Sequence, residues 1–169
     1  DAIYLDYINK ENDKNFKDRY KNNEGWYRAS SAGFCSRKMY YESVLKLEPQ
    51  VQPKNDSKMK MRLGTIVHKD FENAMIENKE KNPSFKYFSE YPIRIPELRV
   101  QGTLDCAIYD TENSILTVGD LKTIGSYPYK LRFGREWFKN KAKISTNYEL
   151  QLSTYTIAML KEIGDCLKV

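Results

Sequence analysis

The sequence predicts an α/β fold within a single domain. Three observations predict it. Leu63, Val67, Phe71, Ala74 and Met75 recur at helical spacing ahead of Pro83. Three consecutive runs, 86–95, 99–109 and 114–123, then switch to strand character, and Asp110-Thr111-Glu112-Asn113 forms a tight turn between the last two. Helical patterning returns after Thr146, where Thr146-Asn147-Tyr148-Glu149 fits a capping box. The 169 residues suit one domain of ordinary size, and a 40% hydrophobic content supplies its core.

Residues 1–28 are polar with scattered aromatics and read as a short helix plus loop. Ser30-Ser31 is placed to cap a helix that continues through Cys35 to about Leu47. Residues 49–55 read as a loop, and Asp56 or Ser57 as the cap of the long helix that carries the apolar series. The last two strand runs form a hairpin. Residues 125–128 read as a loop, followed by a short helix over about 133–141. The final helix should stop at Gly164, a favoured C-terminal residue. Asp165 to Val169 then look like a strand cut short. The division is an N-terminal helical segment, 1–55, and a core, 56–169.

No stretch of 18 apolar residues exists, so no membrane-spanning helix is expected. The opening Asp1-Ala2-Ile3-Tyr4 shows no secretory leader. Cys35, Cys106 and Cys166 make neither a C-x-x-C pair nor a zinc-finger spacing, and their odd number fits a reducing cytosol. The expected location is the cytoplasm. The net charge is +5. From Ser126 to Ser145 stand Lys130, Arg132, Arg135, Lys139, Lys141 and Lys143 against the single acid Glu136, a surplus equal to that of the whole chain. Tyr127, Tyr129, Phe133, Trp137 and Phe138 interleave these cations. Aromatic faces stack single-stranded bases while cations track the backbone, so the stretch is a candidate DNA contact; the alternative is a charged helix face with its aromatics in the core.

The hairpin carries the chemistry. Asp105 ends one apolar run, and Asp120-Leu121-Lys122 closes the next. A buried carboxylate needs a cation or hydrogen bonds to offset its lost hydration. Strand alternation puts Asp120 and Lys122 on one face and groups Asp105 with Thr103 and Ala107. A divalent metal held by the two carboxylates would serve phosphodiester hydrolysis. The Leu121 carbonyl would add a main-chain oxygen, and Lys122 would steady the water or the phosphorane charge. The alternative is a turn cap at Asp105 and an ion pair at Asp120–Lys122. His68 lies on the long helix one turn after Gly64 and one turn before Glu72, on a shared face. A helix-interior glycine costs roughly 1 kcal/mol against alanine, and close approach of another backbone or a ligand would account for it; the alternative is a surface or core-edge histidine. An imidazole ligand would widen the metal choice toward Mn²⁺. Gln151 and Tyr155, one turn apart on the last helix, would hydrogen-bond the lysine, its water or DNA; otherwise they edge the core.

In chain order these pieces are G-x-x-x-H on a helix, G-x-x-D on a strand, D-x-K on the next strand and Q-x-x-x-Y on a helix. The order resembles the PD-(D/E)XK nuclease superfamily in its RecB-like branch, which includes CRISPR-associated adaptation exonucleases, AddAB nuclease domains and mitochondrial genome maintenance exonuclease. The four matches run from Gly64 to Tyr155. The resemblance implies a restriction-endonuclease-like core, a central mixed sheet flanked by helices. It implies His68, Asp105, Asp120 and the Leu121 carbonyl as metal ligands, Lys122 as the catalytic lysine, and Gln151 and Tyr155 as its support. Ser30 to Lys38 also looks like the branch's N-terminal segment, whose cysteine is often a [4Fe–4S] ligand. Such a cluster takes four thiolates and the chain has three cysteines, so no iron–sulfur cluster is expected and Cys35 should be a small buried residue. Arg37 and Lys38 would reach phosphate.

The expected activity is a Mg²⁺- or Mn²⁺-dependent DNA nuclease using one or two ions. It would act as an exonuclease on single strands or duplex ends, in phage or bacterial replication, recombination or repair. A mitochondrial setting stays open. The competing readings are a structure-selective endonuclease and a non-catalytic nucleic-acid-binding module that kept the fold.

Overall fold

The computed structural model describes residues 2–21, 25–47, 51, 53–79, 81–133 and 146–166. Helix α1 spans Ala2–Lys21, strand β1 Tyr27–Arg28 and helix α2 Ser36–Ser43. The long helix α3 spans Asn55–Lys79. Strands β2 (Phe85–Ile95), β3 (Val100–Asp110) and β4 (Ile115–Gly119) follow, then α4 (Ser126–Phe133) and α5 (Thr146–Cys166). The architecture is mixed α/β, a four-stranded mixed sheet flanked by helices.

Strand β3 is the centre of the sheet. It pairs antiparallel with β2 along almost its whole length. Its other edge is shared: β1 lies parallel to its start, and β4 antiparallel to its end. The expected hairpin forms. Its turn is built by Asp110, whose carboxylate accepts the backbone N–H groups of Glu112 and Asn113 and the Asn113 side-chain amide. The core lies between the sheet and α5, where Ile93, Ile95, Leu104, Ala107, Tyr155 and Met159 meet. Burying each of the Ile, Leu and Met side chains stabilises the fold by about 1.5–3 kcal/mol.

Strict alternation fails at one place. Leu104 and Ala107, three residues apart, both enter the core, and on β2 Phe88 and Tyr91 do the same. Between them sits Glu90 at φ +46°, in the left-handed region that side chains with a Cβ rarely adopt. The sheet therefore changes faces at Glu90 and Asp105. Ala107 goes to the core, and the expectation that it shares a face with Asp105 is corrected.

Several boundaries also differ. The first helix has 20 residues rather than a short run. Ser30 and Ser31 sit in a 3-10 turn, and Cys35 takes the N-cap of the shorter α2 without a side-chain cap bond. The reason is Gly33 at φ +78°, which turns the chain before the helix can start; a Cβ there would strike Asn147 and Leu150 of α5. Helix α3 begins at Asn55, with Ser57 and Lys58 donating to the Lys54 carbonyl. Only the later part of the apolar series packs: Met75 is buried and Phe71 half-buried, whereas Leu63 and Val67 are exposed, and Lys58 and Arg62 bond Asn9 and Tyr7 of α1. Toward the start of the helix, polar side chains bridging to α1 take the place of the apolar stripe. Helix α4 starts at Ser126, because Pro128 in a first turn has no N–H to lose there. Helix α5 passes Gly164 and includes Asp165 and Cys166, where a strand was expected. The helix expected over 133–141 falls mainly outside the described residues. No described helix is long and apolar enough to cross a membrane.

Candidate active site

Three carboxylates line up across the sheet. The β2–β3 register passes through Ser89↔Cys106 and Tyr91↔Leu104, which sets Glu90 opposite Asp105. The β3–β4 register ends at Cys106↔Gly119, so the next step brings Asp120 to the level of Asp105. Gly119 permits that approach, since a Cβ there would lie 2.6 Å from the Cys106 sulfur.

The chain leaves the ladder at Asp120. The strand expected to reach Thr123 ends at Gly119, and Asp120 to Lys122 follow it outside the ladder. The Leu121 N–H donates to Asp105 Oδ2 at 2.7 Å, and the Leu121 carbonyl lies 2.9 Å from His68 Nε2. Side chains have taken over both backbone groups that a longer β4 would have used. Thr123 then passes α3 where a Cβ on Gly64 would come within 3.1 Å of its hydroxyl. This is the close approach that a helix-interior glycine signalled.

A carbonyl can only accept, so His68 Nε2 carries the proton of that hydrogen bond. In the neutral ring Nδ1 then bears a lone pair. It faces Asp105 Oδ1 at 3.6 Å and Glu90 Oε1 at 3.7 Å, too far for hydrogen bonds. His68, Glu90 and Asp105 each offer a ligand atom within 4.8 Å of the others. Two carboxylates and an imidazole around a gap of that size fit a divalent cation.

Asp120 is engaged on the other side. Lys122 Nζ approaches its two oxygens at 2.9 and 2.7 Å, and the Gln151 amide donates to Oδ1 at 2.8 Å. Gln151 also donates to the Tyr155 hydroxyl at 3.1 Å. The α5 pair thus supports Asp120, not the lysine. Both residues are buried. The Asp120 side chain is only 6% exposed, while Lys122 remains 39% exposed and opens to solvent.

Burial pushes the Asp105 carboxyl up from its ordinary value, and the Asp120 charge adds to the rise. The Leu121 N–H, His68 and Lys122 oppose it. Burial likewise raises the Tyr155 phenol, against the Gln151 hydrogen bond. Burial and the Asp105 charge raise the Cys106 thiol.

The site therefore brings together His68, Asp105, Asp120, Leu121, Lys122, Gln151 and Tyr155. It adds two residues that sequence reasoning missed. Glu90 needed the β2–β3 register to be seen; its signal was an acid inside an apolar strand run. Arg28 enters because β1 pairs with β3, and with Arg94 it lines a cavity of about 880 Å³ that also exposes Asp105, Asp120 and Lys122. Arg37 and Lys38 do not line it. They lie exposed on α2, with Arg37 donating to Tyr41 and Lys38 paired with Glu42. Lys130 is exposed on α4. The Arg132 side chain, Arg135, Trp137 and Lys139 lie outside the described residues. Cys35 is exposed, not buried, and the backbone N–H groups of Lys38 and Arg37 at the start of α2 lower its thiol pKa.

No family model, no curated protein and no solved structure matches this chain.

Proposed function

We propose that the protein is a metal-dependent DNA nuclease of the PD-(D/E)XK type, RecB-like branch, hydrolysing phosphodiester bonds from the end of a single strand. The observation that carries this reading is the convergence of His68, Glu90 and Asp105 on one gap, with the Asp120–Lys122 pair beside it. A binding module gains nothing from three carboxylates next to a phosphate.

Mg²⁺ or Mn²⁺ would be held by His68, Glu90 and Asp105. When bound, it supplies charge neutralisation for the phosphate and lowers the pKa of water. The alternative ligand set, His68, Asp105, Asp120 and the Leu121 carbonyl, would need the His68 Nε2 proton to move to Nδ1 and Asp120 to release Lys122. Lys122 is the cation beside the acids in the cavity wall. Its ammonium has three donors, and those not spent on Asp120 stabilise the charge that builds on the phosphate oxygens. Asp120 fixes that ammonium, and Gln151 fixes Asp120. Asp105 and His68 hold the Leu121 backbone from both sides, which keeps Asp120 and Lys122 in place.

The assay that tests this reading compares end-labelled linear and circular single-stranded DNA in Mg²⁺ or Mn²⁺. Release of nucleotides from the linear form alone supports the exonuclease. Cutting of the circle assigns an endonuclease, and no cutting of either removes the enzymatic reading.

A further inference from the structure

The edge of β3 that faces away from β2 carries two short partners with an interval between them. From Gly102 to Asp105, no strand among the described residues pairs on that edge. The cavity of about 880 Å³ opens onto this interval, with Gly102, Thr103 and Asp105 in its wall. Its volume is that of a drug-sized ligand, room for a few nucleotides of one strand and far too small for a duplex.

The two ends of the cavity differ. At one stand Asp105, Asp120 and Lys122; at the other stand Arg28, Arg94 and Gln101. Gln101 and Asp105 are four residues apart on β3, about 13 Å at the usual strand rise. Arg28 lies beside Gln101 in the parallel register, and its charge reaches Tyr155. The Arg94 guanidinium stacks 4.8 Å over the Trp26 ring and donates to Gln101 at 3.3 Å. A guanidinium held over an indole and bonded to Gln101 is already ordered, so less freedom is lost when it meets a phosphate. Glu162 also lines the cavity, and its carboxylate accepts the Tyr91 hydroxyl at 2.9 Å. That wall repels phosphate and leaves the arginine side as its path.

We propose that this interval is a subsite for the sugar–phosphate backbone of one nucleic-acid strand. Arg28 and Arg94 hold phosphates a few nucleotides from the one facing Lys122. The inference deepens the nuclease reading and rests on it for the identity of the ligand.

The test measures binding alone, so it stands apart from cleavage. A length series of labelled oligothymidylates is titrated in EDTA by fluorescence anisotropy at several salt concentrations. The wild-type affinity should rise with length. Arg94→Gln should weaken binding of the longest oligomer about tenfold and lower the salt slope by about one; Arg28→Gln should do the same, and Arg28→Lys should keep the slope. Wild-type affinity and slope in Arg94→Gln would overturn the subsite. Arg94 is exposed on β2, so this variant decides the matter even if Arg28→Gln does not fold. Length-dependent binding through the arginines without any cleavage would retain the subsite and reject the nuclease. Cleavage with unaltered binding in both variants would do the reverse.

Discussion

Glu90 and Asp105 face each other across the β2–β3 ladder, two carboxylates at opposed positions of neighbouring strands. Like charges placed so are destabilising, and Glu90 meets its partner from a backbone at φ +46°. Strain of that kind costs on the order of 1–3 kcal/mol and concentrates at functional sites. A cation between the two acids and His68 would relieve the repulsion.

The two ligand sets are separated by substitution. Glu90→Gln should cut the rise in melting temperature that Mn²⁺ produces, because one anionic ligand is gone. A hundredfold excess over the dissociation constant stabilises by about 2.7 kcal/mol, and most of that should disappear. Asp120→Asn should leave the larger part. Differential scanning fluorimetry across a Mn²⁺ titration reads both, and the opposite ranking would transfer the third ligand from Glu90 to Asp120.

Without metal, Asp105 should make stability depend on pH. Its folded pKa is raised, so the favourable contribution is complete below the ordinary aspartate range and is lost as pH rises through the folded value. Urea unfolding in EDTA should show Asp105→Asn gaining on the wild type as pH increases from acid toward neutral. A difference that stays flat, or shrinks, would contradict the burial argument.

Gly119→Ala should destabilise the fold by about 1–3 kcal/mol, since its Cβ would overlap the Cys106 sulfur and push β4 from β3. Cleavage should fall with it, because Asp120 follows directly. Paired Cys106→Ala and Gly119→Ala substitutions should recover part of the stability, as measured by denaturant midpoint.

Gln151→Leu removes a donor from a carboxylate that is almost fully buried, at a cost of about 1–3 kcal/mol. Gln151→Glu should be worse, placing a second acid against Asp120. Thermal melts of the two variants check the order.

Much of the site was legible because its pieces are local. The Asp110 turn fixes the β3–β4 pairing, and that pairing brings Asp120 to Asp105. Gly64 and His68 lie one turn apart on α3, so one close approach explains both. Glu90 was not legible: its role depends on a register set over ten paired positions and on one left-handed residue that switches the faces of the sheet. Arg28 was hidden for a similar reason, since a two-residue strand that pairs with a partner over 70 residues away leaves no periodic trace. Leu63 and Val67 misled because helical spacing reports an apolar stripe but not whether Lys58 and Arg62 will claim the contact.

The central claim, that Lys122 and the acids beside it cut phosphodiesters with a divalent ion, is tested most directly by one time course. End-labelled single-stranded DNA is incubated with wild type and Lys122→Ala in Mn²⁺, and with wild type in EDTA. The account predicts metal-dependent cleavage by the wild type, none in EDTA, and a loss of at least about a hundredfold in Lys122→Ala. Cleavage by Lys122→Ala at the wild-type rate, or by the wild type in EDTA, would contradict it.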